Sequence, residues 1–343
     1  MGKKVVLVKP PAKRPGGLEK TAAQIGSAFQ DRGHEVVWLT HSPASWLPGF
    51  LRLEQFDQYV QSWVKQHPAD IVFGFDRIRK QTHLRAGNGV HAAYLETRSL
   101  WKRATCFMNP LHRKILSIEK EAFEFPGLQK LFVNSEMVKR QILERFSVDE
   151  KKIQVIHNGV AWDGMQRDFD AWPEAKRKLG LTEGYHLLFV GHGFQRKGLD
   201  LVLKALPRDN VHLHVIGHDK HIEQYRAQNP SVTFYGPRTD VRTFYQLADA
   251  LVIPSFYDPF ANVTVEALAM GLHVISSKNN GGHEVLMPET GTITELSVDS
   301  LAAALQNAMQ QPKTLSRALR ARDSVKHLEL ANQMQILVEA CGG

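Results

Sequence analysis

A chain of 343 residues is longer than one ordinary hydrophobic core and fits two domains. Its composition, 43% apolar and 23% charged, is that of a globular protein, and apolar runs such as Leu187–Val190 fall far short of the roughly 20 residues a membrane-spanning helix needs. The net charge of +8 is uneven: residues 1–160 carry 25 Lys and Arg against 15 Asp and Glu, residues 161–343 carry 18 against 20, and such a basic half favours an anionic partner such as nucleic acid, acidic lipid or a phosphorylated acceptor.

The first apolar run, Val5–Val8, follows Met1-Gly2-Lys3-Lys4 and is stopped by Lys9 and two prolines. It is too short for a secretory leader and reads as a strand. Leu18, Ala22, Ile25 and Phe29 then recur at helical spacing up to Gly33. Val36–Leu39 is the next strand, and Phe56, Tyr59, Val60, Trp63 and Val64 line a second helix. Ile71–Phe75, Leu131–Val133 and Ile153–Ile156 complete a series of strands without polar alternation, the pattern of parallel strands covered on both faces. A charged stretch from Asp163 to Leu181 reads as a linker. Beyond it the alternation restarts, with strands at Leu187–Val190, Leu213–Ile216, Val232–Tyr235, Leu251–Ile253 and Val274–Ser276. Two βαβ series predict two doubly wound α/β domains. The expected divisions are residues 1–165 and 166–325, with a C-terminal helix over 326–343 packing back on the first domain. Cys106 and Cys341 have neither metal-ligand spacing nor a disulfide framework, which fits a reduced cytoplasm.

Open sheets of this kind bind ligands beyond the carboxyl ends of their strands. Three loops there carry unusual residues. Gly16-Gly17 closes the loop after the first strand, where backbone N–H groups can approach a phosphate at a helix N-terminus; a tight turn is the plain alternative. Neither the G-x-G-x-x-G spacing nor a P-loop occurs. Gly191–Gly198 contains Arg196-Lys197, a forked guanidinium beside a point charge, which together suit a diphosphate. The most specific segment, Pro254–Gly271, ends a strand, carries Asp258 in a loop and enters a helix whose first amides include Val263 and Thr264. That helix start can hold phosphate, and Glu266, about one turn further, can accept from ribose hydroxyls.

Taken together these segments resemble the retaining glycosyltransferases of family four, with the GT-B architecture of two facing Rossmann-like domains. The resemblance covers nearly the whole chain. Its pieces stand in the family's order: Gly16-Gly17, Val133-Asn134-Ser135, Ile153–Val160, Arg196-Lys197-Gly198, Phe234-Tyr235-Gly236, Leu247-Ala248-Asp249, Pro254–Gly271 and Gly281-Gly282-His283-Glu284. The family's pair of acids separated by seven residues is here Asp258 and Glu266, so the first acid is one methylene shorter. The resemblance implies that Arg196 and Lys197 neutralise a departing diphosphate, that Glu266 binds ribose, that Asp258 holds hydroxyls of the transferred sugar, and that amides at Gly17, Val263 and Thr264 approach phosphate. His91, in Gly89–Leu95, matches a histidine that contacts the donor sugar in many members. Val190–Gly198 and Arg85–His91, leading into Tyr94-Leu95-Glu96, are similar to the lipopolysaccharide core glucosyltransferase I group.

The expected activity is therefore transfer of a hexose, glucose, from a nucleoside-diphosphate sugar, UDP-glucose, to a lipid-linked saccharide such as lipopolysaccharide core. The donor is a substrate; no cofactor and no metal is expected. Alternatives are a family member building exopolysaccharide or a soluble glycoside, a nucleotide-sugar 2-epimerase on the same scaffold, and a non-catalytic sugar-nucleotide or nucleic-acid binder. The basic half lacks helix-turn-helix, zinc or RNP-type signatures, which speaks against nucleic acid. Residues 98–120 intersperse Arg98, Lys102, Arg103, His112, Arg113 and Lys114 with Trp101, Phe107 and aliphatic side chains, a composition suited to an anionic membrane surface. An ordinary helix pair with one basic face is the alternative there. The expected location is cytoplasmic, peripheral on the inner face of the cytoplasmic membrane.

Overall fold

The computed structural model describes residues 2–10, 17–76, 78–98, 105, 106, 108–165, 168, 174, 176, 177, 184–226, 231–311 and 314–342, with the backbone alone at 17, 18, 20 and 226. The chain divides into two compact units: Met1–His157 with Ala331–Gly343, and Asn158–Leu330.

The first unit contains β1 (Lys4–Val8), α1 (Gly17–Asp31), β2 (Glu35–Leu39), α2 (Gly49–Gln66), β3 (Ile71–Gly74), β4 (His83–Arg85), α3 (His91–Glu96), α4 (Pro110–Phe123), β5 (Lys130–Val133), α5 (Glu136–Arg145) and β6 (Ile153–Val155). Its strands form one parallel sheet in the order β2-β1-β3-β4-β5-β6. Val5, Val6 and Leu7 have no exposed surface although they alternate between faces, so helices cover both sides of β1. β2 is one edge strand and mixes exposed with buried positions. Helix starts follow local chemistry: the Ser135 hydroxyl accepts from the Val138 amide at the head of α5, and Asn109 with Pro110 opens α4.

The second unit contains β7 (Tyr185–Val190), α6 (Phe194–Lys197), α7 (Leu199–Ala205), β8 (Val211–Ile216), α8 (Ile222–Arg226), β9 (Val232–Gly236), α9 (Val241–Leu247), β10 (Ala250–Ile253), α10 (Asn262–Ala269), β11 (His273–Ser277), β12 (Gly291–Thr294), α11 (Val298–Met309) and α12 (Leu315–Ser324). Its parallel sheet runs β12-β11-β10-β7-β8-β9. Every residue of β10 is fully buried, in a core shared with Leu187, Phe189, Leu268 and Leu305. The order reverses between β7 and β10, so the loops after these two strands open at the sheet's topological switch point. A last helix, α13 (Leu330–Ala340), belongs to the first unit, where Lys3 donates to the Gly342 carbonyl and Arg32 pairs with Glu339 at 2.8 Å.

Two strands lack the apolar signature. β4 is His-Leu-Arg, with His83 and Arg85 buried, and β12 is Gly-Thr-Ile-Thr. Most of the Asp163–Leu181 stretch lies outside the described residues; its start forms a turn over Trp162–Met165, and Arg322 lies 4.3 Å from the Trp162 ring centroid.

Candidate active site

The loop after β7 turns through Gly193 in the left-handed region and enters the single turn α6, which ends on a second left-handed glycine, Gly198. No side chain at Gly193 can cap α6. Asp219, in the loop after β8, does so instead: its Oδ2 accepts from the Phe194 amide at 2.7 Å, while its Oδ1 accepts from the His221 amide at 2.9 Å. The Gly193 amide donates to the His218 carbonyl at 3.1 Å, and the fully buried Phe194 ring packs edge-on against Phe189 and Tyr225. An open cleft of about 570 Å³ is lined by Gly193, Gln195, Arg196, His218, Asp219 and Lys220 among others.

α6 presents Arg196 and Lys197 to the loop after β10. The two cations converge on one oxygen: Asp258 Oδ2 accepts from Lys197 Nζ and, at 3.1 Å, from Arg196 Nη1. Arg196 Nη1 also donates to the Tyr257 carbonyl at 2.8 Å, and the Phe256 amide donates to the Arg196 carbonyl at 2.9 Å. The Asp258 and Lys197 side chains are nine-tenths buried, whereas that of Arg196 is 36% exposed. Burial opposes ionisation of Asp258, but the charges of Lys197 and Arg196 outweigh it and hold the carboxyl below its ordinary value. Asp258 is fixed by its backbone too: its amide donates to the Asn279 carbonyl and its carbonyl accepts from the Gly281 amide, both at 2.9 Å.

Asn280 holds the start of α10. Its Oδ1 accepts from the amides of Ala261 (2.9 Å) and Gly282 (3.0 Å), and its Nδ2 donates to Ser276 Oγ at 2.9 Å. Val263 and Thr264 occupy the first turn of α10, and the Thr264 amide donates to the Ala261 carbonyl at 2.9 Å. Glu266 follows on the same helix. Tyr245, fully buried on α9, donates from its hydroxyl to Glu266 Oε2 at 2.8 Å; burial and the neighbouring Glu266 raise its own pKa far above the ordinary phenol value.

Arg196 and Lys197 on α6, Asp258 in the loop after β10, and Val263, Thr264 and Glu266 on α10 all belong to the second unit. His91 and Gly17 belong to the first unit, and Gly16 lies outside the described residues. Gly17 is the first residue of α1. His91 begins α3, where the buried Glu119 serves as cap by accepting from the amides of His91 (2.7 Å) and Ala92 (3.3 Å). The His91 imidazole lies 2.9 Å, Nε2 to Nδ1, from His112, whose pKa is lowered by burial and by Arg98. Tyr245, Asn280, Asp219 and Glu119 escape a reading of the sequence alone. The Asn279-Asn280-Gly281-Gly282 turn after β11 and the Gly217-His218-Asp219 turn after β8 are the signals that mark two of them.

Of the basic stretch, Leu100, Trp101, Lys102, Arg103 and Phe107 lie outside the described residues. In its described part Ile115 and Ile118 are core residues of α4, and the part-exposed Lys114 pairs with Glu54 at 2.9 Å. Met108, by contrast, is 80% exposed.

Residues 15–161 match the family model Glycosyltransferase Family 4, and residues 172–323 match Glycosyl transferases group 1. The chain is 26% identical over 341 residues to the lipopolysaccharide glucosyltransferase WaaG of Escherichia coli K12, covering 90% of each protein. A crystal structure of WaaG superposes with a TM-score of 0.84 at 23% identity, covering 99% of this chain and 100% of that one. HepE of Anabaena, solved in complex with UDP-glucose, superposes with a TM-score of 0.73 at 17% identity over 99% of each chain. The structural likenesses establish the GT-B fold. With one model matching each half of the chain, the protein belongs to glycosyltransferase family 4, a retaining family.

Proposed function

We propose that this glycosyltransferase moves glucose from UDP-glucose to a lipid-linked saccharide of the lipopolysaccharide-core type. The observation that carries the proposal is the convergence of Arg196 and Lys197 on Asp258 at the switch point of the second sheet, in a chain that matches WaaG over nine-tenths of both lengths. As the bond between the anomeric carbon and the diphosphate oxygen breaks, its electron pair passes to the diphosphate; the acceptor hydroxyl oxygen forms the new bond and its proton passes to the departing diphosphate. The growing negative charge needs cations already in place, a role that falls to Arg196 and Lys197. The amides of Val263 and Thr264, with that of Gly17, are assigned to phosphate; the Thr264 amide would share its present bond to Ala261. Glu266, oriented by Tyr245, accepts from the ribose hydroxyls. Asp258 takes hydroxyls of the sugar. His91, steered by His112, contacts the transferred hexose.

A lipid-linked acceptor requires an approach to the bilayer, and we assign it to the basic first unit on the cytoplasmic side. Gly49 at the start of α2 lies against Leu111 at the start of α4, and the segments leading into these helices carry Trp46 and Met108, which are 82% and 80% exposed. Large apolar side chains beside basic residues such as Arg113 suit an anionic headgroup boundary.

The test is incubation with UDP-glucose and core lipopolysaccharide lacking its first glucose, with the anomeric configuration of the product read by NMR. An α-linked glucose is expected from the α-configured donor. Transfer from another nucleotide sugar, or to soluble acceptors alone, would overturn this assignment.

A further inference from the structure

Asp258 Oδ2 is the shared acceptor of both cations assigned to the diphosphate, across 62 and 61 residues of sequence. The carboxylate is not there by local accident. Its backbone is clamped on both sides by the Asn279–Gly281 segment, and the Lys197 stem lies over Gly191, where an added Cβ would meet it at 3.2 Å. Arg196 and Lys197 therefore have a built-in counter-ion nine-tenths removed from solvent. Any diphosphate that engages these cations brings its own negative charge up to that carboxylate, and like charges a few ångströms apart in a poorly screened site repel.

We propose that Asp258 competes with the diphosphate for Arg196 and Lys197, and so promotes release of the nucleoside diphosphate once the sugar has been transferred. This rests on the assignment of the two cations to the diphosphate. While the donor is intact, sugar hydroxyls occupy the carboxylate and lessen the conflict. After transfer those hydroxyls leave with the acceptor, and the freed carboxylate re-pairs with the cations. An acid at this place thus serves turnover as well as sugar binding. Removing its charge tightens product binding while transfer slows, the opposite of what a simple binding residue does.

Calorimetric titration with UDP, ADP, GDP and inorganic pyrophosphate tests this on the wild type and on Asp258→Asn, Asp258→Ala and Asp258→Glu. The two neutral variants are expected to bind diphosphate on the order of tenfold more tightly than wild type, with slower release in stopped-flow displacement. Asp258→Glu, which keeps the charge, should stay near wild type. Equal or weaker binding by both neutral variants, with native circular dichroism, would overturn the competition and make Asp258 a support for Lys197. If the wild type binds none of the four probes, the assignment of the cations falls, and the competition with it.

Discussion

Gly198 offers the sharpest structural perturbation of the site. It joins α6 to α7 at a φ of +83°, and a Cβ built on it would lie 2.1 Å from the Pro254 carbonyl oxygen. Ordinary contact begins near 3.4 Å, so in Gly198→Ala the turn carrying Arg196 and Lys197 must move about 1.3 Å from the loop carrying Asp258. The left-handed backbone costs a further ~1–2 kcal/mol for any L-residue. A displacement of about 1 Å at a reacting centre lowers turnover by roughly 10². Steady-state release of UDP from UDP-glucose, with urea unfolding in parallel, measures both effects. Gly33→Ala is the control: its φ is +76° with nothing within 4 Å of the added carbon, so it bears the backbone cost and leaves activity intact. Turnover by Gly198→Ala within twofold of wild type would refute the claim that the α6–loop contact sets the cation geometry.

Arg196→Ala should lower kcat by about 10²–10³ while circular dichroism stays native, because it removes a stabiliser of the departing charge. Glu266→Gln should chiefly weaken nucleoside diphosphate binding, and Tyr245→Phe should reproduce part of that loss, about 1.5 kcal/mol for one hydrogen bond to a charged acceptor; undiminished affinity in both would remove the ribose assignment. For membrane docking, sedimentation with phosphatidylglycerol vesicles should fall for the Lys102, Arg103, Arg113 and Lys114 to Gln quadruple variant, and salt should weaken the parent's binding; equal sedimentation would place the contact elsewhere. Acid should destabilise the fold through buried histidines: His83 is held at about 4 by burial with Lys3 and Lys130, and His214 at about 3 by burial with His186 and His212. Both stay neutral in the native state while the unfolded chain takes up protons below about 6.5, so stability is full above that pH. It should fall by roughly 2 kcal/mol per histidine on going to pH 5, as read by urea unfolding.

The doubly wound sheets were legible because strands such as Val5–Val8 and Leu251–Ile253 are buried on both faces and must be apolar throughout. β4 was not, because two of its three residues, His83 and Arg85, are buried polar groups and break the apolar run that marks a covered strand. The site divides along the same line. Arg196 and Lys197 are neighbours in sequence, and the spacing of Asp258 and Glu266 is read directly from the chain. That Asp258 closes onto the cations is a property of the switch point between β7 and β10, which no local pattern encodes. Asp219 in place of a cap at Gly193, and Tyr245 behind Glu266, are likewise tertiary substitutions for local chemistry. The apolar residues of 98–120 illustrate the opposite hazard. Composition alone cannot separate Ile115 and Ile118, which fill the core, from Met108, which faces solvent.

The central claim is that the cluster at this switch point binds a nucleotide sugar through Arg196 and Lys197. Calorimetric titration of UDP-glucose into the wild type and into the Arg196→Ala, Lys197→Ala double variant tests it most directly. Saturable binding by the wild type, lost in a double variant that keeps its native circular dichroism, is the predicted result; undiminished binding by that variant would contradict the account.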